Sequence, residues 1–193
     1  YWSLAIEEQF YVIWPATVWL LVRWSRRRGR GPLRPLVILT VLSAVVAPWI
    51  AHVFGSAAAY WATPARLGEL LVGATAAAWL AGGGRVPARA SLAAPVLAAA
   101  VVVLAVLLPA GSGPAYSGWL TPFALVSAGL LLSLQVPGAV RSALSVRPVV
   151  WLGKVSYGVY LYHWPVYVLL RQHGWRLTTV GGFLLAVSIT LVV

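Results

Sequence analysis

The chain has 193 residues, of which 61% are hydrophobic and 9% charged, with a formal net charge of +11 and a mean hydropathy of +0.88. A soluble domain carries about a quarter charged residues, so the composition excludes one and points to a membrane; the basic residues sit in short loops between apolar runs, which argues against nucleic acid as a partner. Cysteine, aspartate and asparagine are all absent, which excludes disulfides, cysteine metal sites, Ser-His-Asp triads, EF-hand loops and N-glycosylation sequons.

A membrane span needs roughly 20 apolar residues, and by that ruler the fold is expected to be all-α, a polytopic transmembrane bundle of about seven spans. The first runs over 3–24, with Pro15 expected to kink it because an interior proline loses a backbone bond. The second covers 35–54 and is followed by a charge-free loop at 55–63. The third covers 64–81 and leaves through a glycine-rich turn with Arg85 and Arg89. The fourth, 91–108, exits through a second charge-free loop at 109–118. The fifth covers 119–135, the sixth 149–170 with Lys154 a turn or so inside, and the seventh, 177–193, ends in an apolar run. The chain starts without Met inside a motif, so the expectation is a partial domain over 1–193, truncated at both ends.

Orientation follows from the basic residues. Arg23, Arg26, Arg27, Arg28, Arg30, Arg34, Arg85, Arg89, Arg141, Arg147 and Lys154 fall on one side, against Arg171 and Arg176 on the other, with Arg66 at the start of the third span. The positive-inside rule puts the first set in the cytoplasm and the Glu7-Glu8 end outside. Trp24, Trp49, Trp61, Trp119 and Trp151 fall near span ends, where interfacial aromatic belts form.

Three groups of residues could carry chemistry. Glu7 and Glu8 are two of only three acidic residues, and carboxylates near bilayer depth are costly unless paired or hydrated. Glu7 shares a helix face with Ser3, Tyr11 and Trp14; the bland reading is a pair of solvated carboxylates at a helix N-terminus, which the helix dipole favours. Arg66 and Glu69, three apart, share a face and can pair, either as structure or to order a substrate cavity. His163 lies about 14 Å along the helix from Lys154 at 1.5 Å per residue, above Ser156, Tyr157 and Tyr160. It is either a neutral packing residue or a proton shuttle. His52 and His173 receive no role, and no phosphate loop or dinucleotide fingerprint is present.

Three stretches share one resemblance: WSLAIEEQFYVIWP at 2–15, YWATPARLGELLVG at 60–73 and WLGKVSYGVYLYHWP at 151–165. In this order they resemble the acyltransferase-3 family, polytopic membrane enzymes that move acyl groups from cytoplasmic acyl-CoA to sugars or lipid-linked glycans. The resemblance covers the later part of a domain of about ten spans, each of roughly 20 residues. It implies Glu7, Glu8 and His163 as catalytic and Arg66, Glu69, Tyr11 and Tyr157 as substrate-binding, with no metal and no cofactor beyond acyl-CoA as co-substrate. Family members also carry an arginine and, about ten residues on, a histidine in their first helix, the expected base. That motif does not occur in this chain.

The function implied is O-acyl transfer, acetyl foremost, to a cell-surface glycan or lipid-linked sugar in a bacterial inner membrane. Partners are then the bilayer, acyl-CoA and the glycan. A transporter or flippase using Glu7, Glu8, Glu69 and His163 as a pathway, and a non-catalytic membrane anchor, are the alternatives.

Overall fold

The computed structural model describes residues 2–27, 29, 31–107, 117–118, 120–172 and 188–189, and among them every regular element is helical. In chain order these are α1 (Trp2–Arg27), α2 (Leu33–Phe54), α3 (Ser56–Trp61), α4 (Thr63–Ala81), a 3-10 turn (Ala88–Leu92), α5 (Ala94–Leu107), α6 (Leu120–Ser133), α7 (Ala139–Leu144) and α8 (Arg147–Gln172). The chain divides into two compact units, Tyr1–Val140 and Arg141–Val193.

The first, second, third and sixth expected spans correspond to α1, α2, α4 and α8. Helix α1 runs continuously through Pro15. Two expectations need correction. The segment 55–63 is not a loop: Gly55, at φ +90, breaks the chain and the alanine-rich Ser56–Trp61 then forms α3, since alanine has the best helix propensity. The described parts of the fourth and fifth spans are α5 and α6, 14 residues each; at their described ends, residues 91–92 belong to the 3-10 turn and 134–135 to a turn after α6. Pro87 and the 3-10 turn take up the start of the fourth. The seventh span lies outside the described residues apart from 188–189.

Among the described residues one helix is long and apolar enough to cross a membrane by length and composition, α2, at 22 residues. Only 11% of its most apolar stretch is buried, unlike the core helix of a soluble protein. Ile38, Val41, Leu42, Val45, Trp49 and Phe54 all stand exposed on it. Helices α1, α4 and α8 are as long or nearly so, but their motif carboxylates and basic residues lower their hydropathy.

The first unit is held together by small residues. Its buried cluster is Ala47, Ile50, Ala59 and Ala65, from α2, α3 and α4. Small side chains let helix backbones approach closely, which matters most where surrounding apolar solvent removes the hydrophobic drive. At the α4–α6 crossing a Cβ on Gly68 would sit 2.6 Å from the Thr121 Oγ1, so any larger residue there forces the Thr121 side chain or the helices to shift. Gly118, at φ +78, leads into α6 against the Ala47–Pro48 backbone of α2, where any side chain would collide. Polar contacts fix the register of α2 on α4: the Thr40 hydroxyl donates to its own Leu36 carbonyl at 2.8 Å and lies 2.8 Å from the Thr75 hydroxyl. Its Oγ1 is also 3.3 Å from the Leu71 carbonyl.

The second unit is described through α8 and the end of α7. Ser145 closes the turn between them by donating to the Arg141 carbonyl at 2.7 Å. Pro165 lies inside α8.

Candidate functional site

The amide that follows the two glutamates joins α1 to α4. Gln9 is one turn or less beyond Glu7 and Glu8, and Thr63 is the first residue of α4. The Thr63 hydroxyl donates to Gln9 Oε1 at 3.2 Å, so the carboxylate-bearing end of α1 meets the N-terminal end of α4. Helix α4 begins there because Pro64 at its first turn has no N–H to satisfy and a preset φ. Glu7 and Glu8 lie in the opening turns of α1; their side chains fall outside the described part of the structure.

One turn along α4 the expected ion pair forms. Arg66 Nε approaches Glu69 Oε1 at 2.7 Å, with the side chains 19% and 24% exposed. This approach is a charge contact whose N–H is not aligned on the oxygen; the aligned bond is Arg66 Nη2 to Glu69 Oε2 at 3.1 Å. The guanidinium also lies 5.5 Å from the centre of the Tyr60 ring, a cation–π distance. Arg66 is thus held between a carboxylate and an aromatic face.

Two cavities lie along α1, α2 and α4. The outer, of about 230 Å³, is lined by Gln9, Ile13, Trp14 and Thr17 of α1, Leu39 and Ser43 of α2, and Thr63, Leu67 and Leu71 of α4. It is an apolar chamber with a polar rim of hydroxyls and one amide. The inner, of about 1050 Å³, runs from Trp14 past Val18, Leu21 and Leu36 to Ser25, Pro32 and Gly82–Gly84. It reaches Gly31 and Pro32 beyond α1, and among the described residues its buried Ser25 Oγ has no hydrogen-bond partner.

The remaining expected site residues are placed separately. Tyr11 is on α1, 67% exposed, and lines neither cavity. Tyr157 and His163 belong to α8 in the second unit and both are exposed. His163 Nδ1 bonds to the Tyr160 carbonyl one turn back, and its ring lies 5.7 Å from the Tyr160 ring. Among the described residues no three His, Cys, Asp or Glu side chains gather as a metal site would require. Sequence reasoning assigned no role to Tyr60, Thr63 or Trp14. All three lie inside the motif stretches, which was the available signal.

Comparison with known proteins agrees with these motifs. The acyltransferase-3 family, described as an acyltransferase domain, matches residues 1–193. A Bacillus subtilis protein, YrhL, provisionally named a peptidoglycan O-acetyltransferase, is 35% identical over 87% of the chain. The peptidoglycan O-acetyltransferase OatA of Listeria monocytogenes is 32% identical over 87%, and the O-acetyltransferase OatA of Staphylococcus aureus is 27% identical over 89%. The chain spans about 28% of the length of the first two relatives and 30% of the third. No solved structure gives a significant match. The chain belongs to the acyltransferase-3 family and is an acyltransferase domain sequence.

Proposed function

We propose that this member of the acyltransferase-3 family is part of a multi-pass inner-membrane O-acyltransferase that moves a short acyl group, acetyl foremost, from cytoplasmic acyl-CoA to a hydroxyl of peptidoglycan. The observation that carries the reading is the match over residues 1–193 together with relatives named for peptidoglycan O-acetylation. The geometry supports it. An inner cavity on the arginine-rich side leads toward a smaller outer cavity with a polar rim at the Gln9 end, as a transfer from a cytoplasmic donor to an external acceptor requires.

In the reaction, a base takes the proton of the acceptor hydroxyl and the oxygen attacks the thioester carbonyl. A C–O bond forms, the C–S bond breaks, and the CoA thiolate leaves and takes up a proton. The base is a histidine from the helix that the family resemblance implies beyond this segment. Glu7 or Glu8 orients and charge-stabilises it, as a carboxylate does in a triad. Arg66, fixed by Glu69 and Tyr60, holds an anionic or polar part of donor or acceptor. The chain crosses the bilayer about seven times.

The experiment is acyl transfer by the full-length protein in bacterial membranes, supplied with labelled acetyl-CoA and peptidoglycan. Label should appear as base-labile ester on the glycan and depend on Glu7 and Glu8. Coupled proton uptake without ester formation would replace this reading with a transporter.

A further inference from the structure

The two cavities are consecutive lengths of one groove. On α1 their linings form a single helical stripe, Gln9, Ile13, Trp14 and Thr17 outside, then Trp14, Val18, Leu21 and Ser25 inside. On α2 the stripe passes from Leu33 and Leu36 to Leu39 and Ser43, and on α4 from Ala78 and Ala74 to Leu71 and Leu67. Side chains three and four apart share a helix face, so each helix presents the same face to both chambers. Trp14 alone, among the described residues, belongs to both linings. A groove about 24 Å long, counting 1.5 Å per residue from Gln9 to Ser25, is therefore divided at the indole.

We infer that Trp14 is a specificity-determining wall that narrows the groove: the thin stem of an acyl-thioester donor lies along the inner chamber and passes beside the indole, and the outer chamber beyond it takes a short acyl group. The inference rests on the acyltransferase reading. The outer chamber measures about 230 Å³, room for about eight water-sized groups at roughly 30 Å³ each. Thioester carbonyl, sulfur and the acceptor's hydroxymethyl occupy part of it, which leaves space for about two to four acyl carbons. A longer chain folded back along the groove meets the indole. Tryptophan suits the task because it is large and rigid, with two side-chain torsions, and its apolar face resists water while its N–H can engage a partner. Leu39, Leu67 and Leu71 line the outer chamber from α2 and α4.

The test has two arms, both on the full-length protein in membrane vesicles. This segment has no cysteine, so with any others replaced, Ser43→Cys reports on the outer chamber and Ala77→Cys on the inner. A membrane-impermeant thiol reagent, bulkier than a thioester stem, is applied at the face carrying the arginine-rich turn. With Trp14 in place Ser43→Cys should label slowly; Trp14→Ala should speed it about tenfold or more by opening the path, while Ala77→Cys labels alike in both. Unchanged labelling at Ser43→Cys would overturn the wall. In the second arm, transfer is measured from acetyl-, butyryl- and hexanoyl-CoA. Trp14→Ala should raise the hexanoyl-to-acetyl rate ratio about tenfold, and Trp14→Phe should change it little; an unchanged ratio in Trp14→Ala would refute length selection. If the unsubstituted protein transfers no acyl group, the acyltransferase reading fails and the labelling arm still decides the wall. Trp14→Leu replaces Trp14→Ala in both arms if the alanine variant does not accumulate in the membrane.

Discussion

The Arg66–Glu69 pair offers the sharpest separation of structure from function. At 2.7 Å and an effective dielectric of about 20, the gross attraction is about 6 kcal/mol. Desolvation offsets most of it: truncating one partner costs about 3–5 kcal/mol when a pair is fully buried and at most about 1 when it is exposed. With side chains 19% and 24% exposed, Glu69→Ala or Arg66→Ala should cost about 2 kcal/mol, between those limits. For a chain of this size that is an apparent melting shift of about 4–8 °C in detergent. The exchanged pair, Arg66→Glu with Glu69→Arg, keeps opposite charges at the same spacing and should recover most of the stability. If Arg66 holds substrate, the exchange leaves acyl transfer depressed about 100-fold or more, since the guanidinium has moved one turn and left the Tyr60 face. Full recovery of turnover in the exchanged variant would refute the substrate role. Melting unchanged in both alanine variants would refute the stability argument.

Glu7→Gln or Glu8→Gln keeps shape and hydrogen bonding but removes charge, and should lower turnover in the full-length enzyme about 100-fold, near 3 kcal/mol; a loss of membrane level with normal turnover per molecule would mark the pair as structural. Gly68→Ala puts a methyl 2.6 Å from the Thr121 Oγ1 and should destabilise by about 1–3 kcal/mol through overpacking. Adding Thr121→Ala should restore part of that loss in a melting assay, because it removes the colliding atom. For orientation, Ser142→Cys should label from the cytoplasm and Ser56→Cys from outside, both positions being exposed; the reverse pattern would invert the topology.

Composition together with apolar runs of about 20 residues decided the helical class, because a run of that length in a hydrocarbon solvent satisfies its backbone bonds within itself as a helix. Long apolar runs then located α1, α2, α4 and α8 to within a few residues, and the (i, i+3) spacing gave the Arg66–Glu69 pair without any structure. The same ruler missed α3, whose six residues are too few to show a period, and it overran the start of α5, where the 3-10 turn takes 91–92, and the end of α6, where 134–135 form a turn. Sequence could also mark 2–15 and 60–73 as motifs without saying that Gln9 in one meets Thr63 in the other, 54 residues away. That contact, the Thr40–Thr75 bond, the Gly68–Thr121 approach and the shared wall at Trp14 all depend on which face each helix turns to its neighbour. A helix that is apolar nearly all round carries little sequence record of that rotation. The packing of small residues between α2, α4 and α6 sets it, and only the assembled tertiary structure holds that information.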